Sequence, residues 1–104
     1  MELSEMLDTF QVHIKLPELF TKRFVSYIPE QRRIVNQLLE KRVILNYALS
    51  MDRAHLWITI QAKNEMVVMD ILETFPIIKD VKVEIFELAF FDTAHLGMPE
   101  IIMN

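Results

Sequence analysis

The sequence predicts a single α+β domain of the ferredoxin-like βαββαβ type, a four-stranded antiparallel sheet carrying two helices on one face. Three observations support this. A chain of 104 residues can bury one core and is too short for two ordinary domains, so one domain spanning 1–104 is expected. Apolar residues alternate with period two in some segments and recur with helical spacing in others. The segments follow the order strand, helix, strand, strand, helix, strand, which is the split βαβ arrangement.

Phe10-Gln-Val-His-Ile-Lys-Leu16 alternates strictly, with Phe10, Val12, Ile14 and Leu16 on one face and Gln11, His13 and Lys15 on the other. This is a half-buried strand, and Pro17 ends it. From Glu18 to about Arg42, Phe20, Phe24, Ile28, Ile34, Val35, Leu38 and Leu39 recur at helical spacing and predict a long helix. Pro29 lies inside it, lacks an N–H and crowds the carbonyl of Val25, so a bend or break is expected near Ile28.

Val43 to Ser50 and Leu56 to Ala62 are strand-like runs joined by the polar link Met51-Asp-Arg-Ala-His55, which reads as a β-hairpin. Asn64 can cap a second helix carrying Val68, Ile71, Leu72 and Phe75, with Pro76 limiting its extension. Val81 to Phe91 gives a last strand whose far end, with Phe86, Leu88 and Phe90, is expected to be buried on both sides. The sheet face away from the helices would then show Gln11, His13, Lys15, Asn46, Trp57, Thr59, Gln61, Glu84, Phe86 and Leu88. A half-apolar face of this kind is expected to pack against a second sheet, which makes a homodimer or larger homo-oligomer the expected partner. The tail Asp92 to Asn104 ends in Met98-Pro-Glu-Ile-Ile-Met103 and is expected to cover a neighbouring subunit or close a pocket.

Composition narrows the function classes. Hydrophobic residues at 52%, charged residues at 25%, one Gly and four Pro describe a chain that folds nearly throughout. The net charge of -4 is dispersed, and no basic cluster interleaves with aromatics, so no nucleic-acid partner is expected. No Cys is present, which excludes disulfides, thiol nucleophiles and Cys-ligated zinc. MELSEMLDTF at the start carries three acids and no base, unlike a secretory or transit peptide, and no apolar run approaches the roughly 20 residues of a membrane span. A soluble, cytoplasmic protein without membrane partners is the expectation.

The strand end Ile14-Lys15-Leu16-Pro17, the helix end Asn36-Gln-Leu-Leu-Glu-Lys-Arg42 and the segment Phe75-Pro-Ile-Ile-Lys-Asp-Val-Lys-Val-Glu-Ile85 resemble the muconolactone isomerase family. That family belongs to the dimeric α+β barrels, and the resemblance extends over most of Thr9 to Phe91. It implies a ferredoxin-like subunit whose sheets pair into a barrel, and a cofactor-free lactone isomerase as the ancestral chemistry. Lys15 is the one candidate site residue on a family motif position. After Glu40, where the family tends to have a Gly, this chain has Lys41-Arg42.

A lactone isomerase needs a base and a cation or donor for the enolate-like intermediate. His13 and Lys15 supply both types on one strand face, about 7 Å apart by strand rise. The same residues also read as the polar stripe that an alternating strand places opposite its core. Glu84 reads as an ion-pair partner for Lys15 or His13, or as a general base. Glu30, Arg32 and Arg33 follow Pro29 and read as solvated helix charges, unless a helix broken there turns one of them into a pocket; an Arg so placed, with Arg32 the candidate, would suit a substrate carboxylate. Asp52 and Arg53 read as turn residues. Trp57, Tyr47 and Phe86 either line a cavity for a flat organic ligand or pack a dimer.

His13, His55 and His95 show no metal-ligand spacing and fall on a strand, a turn and the tail, so no metal is expected. The single Gly, Gly97, excludes a glycine-rich phosphate loop, and no cofactor is expected. Two other functions stay open: a non-catalytic binding or oligomerisation module, and a cofactor-independent monooxygenase-like enzyme. Whether the chain is an enzyme is left open by its residues.

Overall fold

The computed structural model describes residues 7–94. His95, Gly97 and the apolar run Met98 to Met103 lie outside the described residues. Four strands, β1 (Asp8–Lys15), β2 (Ile44–Leu49), β3 (His55–Ala62) and β4 (Lys82–Glu87), form one sheet in the order β2-β3-β1-β4. Every pairing is antiparallel. The helices are α1 (Lys22–Ser26), α2 (Ile28–Glu40) and α3 (Glu65–Leu72), and a 3-10 turn at Pro76–Asp80 precedes β4. The result is an α+β fold compatible with the ferredoxin-like class.

β1 sits in the middle because both its neighbours pair with it in register, Val12 opposite Ile58 on one side and Ile85 on the other. Its alternation sends Phe10, Val12, Ile14 and Leu16 to the helix side, where each is at most 8% exposed. Leu56, Ile58, Ile60 and Ala62 of β3 join them, and Phe24, Val35, Val68, Leu72, Phe75 and Ile77 cover them from the helices and the 3-10 turn. Side chains of this size contribute about 1.5–3 kcal/mol each on full burial, so this one cluster holds the layers together.

The long helix is divided. Thr21 caps α1 with its side-chain oxygen accepting from the Phe24 N–H at 3.1 Å, so the helix begins at Lys22 and not at Glu18. Tyr27 separates α1 from α2, and Pro29 occupies the first turn of α2, where a missing N–H costs nothing. Asn64 caps α3 as expected, accepting from the Val67 N–H at 3.0 Å. Phe75 lies beyond α3, as the residue before the 3-10 turn, yet is buried.

Two strand ends and the burial of Phe90 differ from the sequence expectation. β4 stops at Glu87 instead of Phe91: its last pairing is to Phe10, and one further hydrogen bond, from the Leu88 N–H to Thr9 O at 2.9 Å, ends the ladder. Phe90 is 78% exposed, so the far end of this segment is not buried on both sides. His55 belongs to β3 and not to the hairpin turn, because the Ser50 N–H bonds His55 O at 2.8 Å and closes the hairpin outside it.

A register shift between Ile44 and Asn46 lets Ile44 enter the core while Asn46 turns to the opposite face. Arg42 ends α2 with φ 61°, and Arg53 holds the hairpin turn with φ 60°. Both are left-handed positions that favour glycine.

Candidate functional site

The sheet face away from the helices carries a hydrogen-bonded line of side chains from three strands. His13 on β1 stands opposite Trp57 on β3 and Glu84 on β4. His13 Nδ1 lies 3.3 Å from Glu84 Oε1, and His13 Nε2 lies 2.9 Å from His55 Nδ1. The two imidazoles stack with centroids 5.0 Å apart, and the Trp57 ring lies 5.7 Å from His55 and 5.8 Å from His13.

The carboxylate determines which nitrogens carry hydrogen. An ionised Glu84 only accepts, so His13 Nδ1–H donates to it and His13 Nε2 accepts from His55 Nδ1–H. That assignment, made from the hydrogen-bond network, leaves the His55 Nε2 lone pair as the basic end of the line. The outer nitrogen of the line is therefore His55 Nε2, with His13 bridging His55 and Glu84.

Lys15 pairs across the sheet with His55 on one side and with Lys82 on the other, so both lysines share the face of the imidazoles. Lys15 is exposed. Of the two partners expected for Glu84 it meets His13, through the hydrogen bond above, and among the described residues Lys15 makes no salt bridge. On the rest of the face, the Thr59 hydroxyl donates to Gln11 Oε1 at 3.0 Å, and Trp57 and Phe86 are 39% and 51% exposed.

Tyr47 and Arg32 lie elsewhere. Tyr47 pairs with Ile58 and so faces the helix side of the sheet, where it lines a cavity of about 360 Å³ together with Arg32. The grouping of Trp57, Tyr47 and Phe86 around one cavity is thus corrected: Trp57 and Phe86 are on one face of the sheet and Tyr47 is on the other. The break before Pro29 does bring Arg32 to a pocket, while Glu30 and Arg33 pair with each other on the surface. That pairing holds the Glu30 carboxyl below its ordinary range and raises Arg33.

Asp52 accepts from the Ser50 hydroxyl at 2.6 Å and the Ala54 N–H at 3.0 Å, as a turn aspartate does. The Ser50 hydrogen bond, chiefly, lowers its pKa.

His55 is the site residue that sequence reasoning assigned to the turn. Counting back two residues from Trp57 along the same strand would have put it on the histidine face. Among the described residues, no group of three or more His, Cys, Asp or Glu is arranged to hold a metal ion, and no helix is long and apolar enough to cross a membrane. No protein-family model matches the chain, and no curated protein matches it in sequence.

Proposed function

We propose that this chain is a cofactor-free small-molecule protein of the muconolactone isomerase-like, dimeric α+β barrel type. Two copies pack histidine face to histidine face, and each site isomerises an unsaturated lactone or a related small organic acid. The observation that supports this is the Glu84, His13, His55 line, which ends in the His55 imidazole on the same sheet face as Lys15 and Lys82.

In this reading His55 Nε2 removes a proton from a carbon activated by the carbonyl, while Lys15 and Lys82 stabilise the oxyanion of the dienolate. The positive charge on His55 is stabilised through His13 by Glu84. His55 then returns the same proton to a different carbon of the dienolate, so no co-reactant is consumed. Trp57 offers a flat apolar wall for the substrate, and a second sheet would exclude water from the face.

The test is a spectrophotometric assay of a panel of unsaturated lactones with the wild type, Lys15→Ala, His55→Asn and His13→Asn. Turnover is expected in the wild type and a loss of about a hundredfold or more in His55→Asn, the size of a general-base contribution. Absence of wild-type turnover across the panel refutes the catalytic reading.

A second reading, a non-catalytic assembly module, is favoured by one observation. Neither the cavity at Tyr47 and Arg32 nor a second one between α3 and β4, lined by Met69, Leu72, Val83 and Ile85, is lined by His13, Lys15, His55 or Glu84, while Trp57 and Phe86 stand exposed beside them. It predicts a dimer by sedimentation that Phe86→Glu dissociates, with no turnover of any lactone.

A further inference from the structure

On the helix side of the sheet, the segment after β1, the junction of α1 and α2, and the turn end of the hairpin border the cavity of about 360 Å³ that Arg32 and Tyr47 line. This volume lies within the range of small-ligand sites. Its walls are mostly apolar: Leu16 follows β1, Leu56 comes from β3, and Phe20 and Phe24 stand with ring centroids 4.7 Å apart. The helix break at Tyr27 borders this space, with Phe24 of α1 and Ile28, Gln31 and Arg32 of α2 lining it from either side.

The polar groups of this cavity form one cluster. Gln31 is only 5% exposed, and its Nε2 donates to Tyr47 Oη at 3.4 Å. Since Tyr47 Oη accepts that bond, its own hydrogen is left to donate to something else. Arg32 adds guanidinium donors from the next position on α2. Gln31 Oε1 is buried without a hydrogen-bond partner among the described residues. An unpaired buried amide oxygen is a cost to folding, and it is explained if the amide serves to orient the Tyr47 hydroxyl.

We propose that this cavity is a second small-molecule site and that it takes a small monocarboxylate with a flat apolar body. The carboxylate accepts hydrogen bonds from Tyr47 Oη and the Arg32 guanidinium, and the body lies between Phe20, Phe24, Leu16 and Leu56. Burial raises the pKa of the Tyr47 hydroxyl, with Gln31 and Arg32 opposing, so it remains a donor at neutral pH. The site is on the opposite face from His13 and does not rest on the isomerase reading.

The experiment is a two-dimensional ¹⁵N NMR titration of the full chain with benzoate, and with benzamide as its neutral counterpart. Saturable shifts are expected at Phe24, Gln31, Tyr47 and Leu56, with benzamide binding about tenfold more weakly. Tyr47→Phe and Arg32→Gln should each weaken benzoate by about tenfold, the loss of one charge-assisted hydrogen bond. Arg32 is exposed, so Arg32→Gln keeps the test valid if Tyr47→Phe does not fold. No saturable shift, equal binding of benzamide, or shifts confined to His13, Lys15 and Trp57 would overturn the proposal. Lactone turnover is read separately, so either proposal can fail while the other stands.

Discussion

Gln31 sets folding against ligand positioning, and Gln31→Leu separates the two. The side chain is 5% exposed, its Oε1 is unpartnered, and its one hydrogen bond, to Tyr47, is long at 3.4 Å. A buried amide oxygen without a donor costs about 1–3 kcal/mol, whereas a neutral hydrogen bond contributes about 0.5–1.5 kcal/mol and less at this length. Leucine has a similar volume and would place methyl groups against Leu16, Leu56 and the other apolar walls of the cavity. The difference favours the variant by about 1 kcal/mol, which for a domain of this size raises Tm by roughly 4–8 °C.

The variant should also bind benzoate several-fold more weakly, because the Tyr47 hydroxyl loses the group that orients it. Urea and thermal unfolding measure the first effect and the NMR titration the second. A loss of about 1 kcal/mol or more in Gln31→Leu would show that both ends of the amide are satisfied in the fold, and the reasoning would fail.

Arg42→Gly relieves a left-handed residue at the end of α2, φ 61°, and should stabilise by about 1 kcal/mol in urea unfolding; a neutral or negative change would contradict the helix-end assignment. Asn64→Ala removes the oxygen that accepts from Val67 N–H and should cost about 1 kcal/mol by the same measurement. The pKa of Asp52 is lowered in the fold, first by the Ser50 hydroxyl, so its contribution is present above the ordinary carboxylate range and is lost as pH falls through the lowered value. Asp52→Asn should therefore flatten the acid side of the stability profile, and an unchanged profile in thermal melts across acidic pH would count against the turn geometry.

Much of the fold was legible because its signals are local. Strict alternation in Phe10 to Leu16 fixed which side chains of β1 meet the core, since a pleated strand sends successive residues to opposite faces. Asn64 announced α3 and Pro29 announced the break before α2, because capping and the missing proline N–H act within a few residues. The same period-two count placed Gln11, His13, Lys15, Trp57, Thr59, Glu84 and Phe86 on one face, as the pairings have them.

What the sequence could not give depends on groups far apart in the chain. His13 and His55 are 42 residues apart, and their contact exists only because β1 and β3 pair with Lys15 opposite His55. A one-residue slip would turn every side chain of one strand to the other face. The register shift at Leu45 separates Tyr47 from Trp57 in the same way, putting one at the helix-side cavity and the other beside the histidines. Local periodicity thus determined the elements and their faces. Only the tertiary register decided that Glu84, His13 and His55 form one line and that Gln31, Arg32 and Tyr47 form another cluster, because hydrogen bonds require distances that no local pattern encodes.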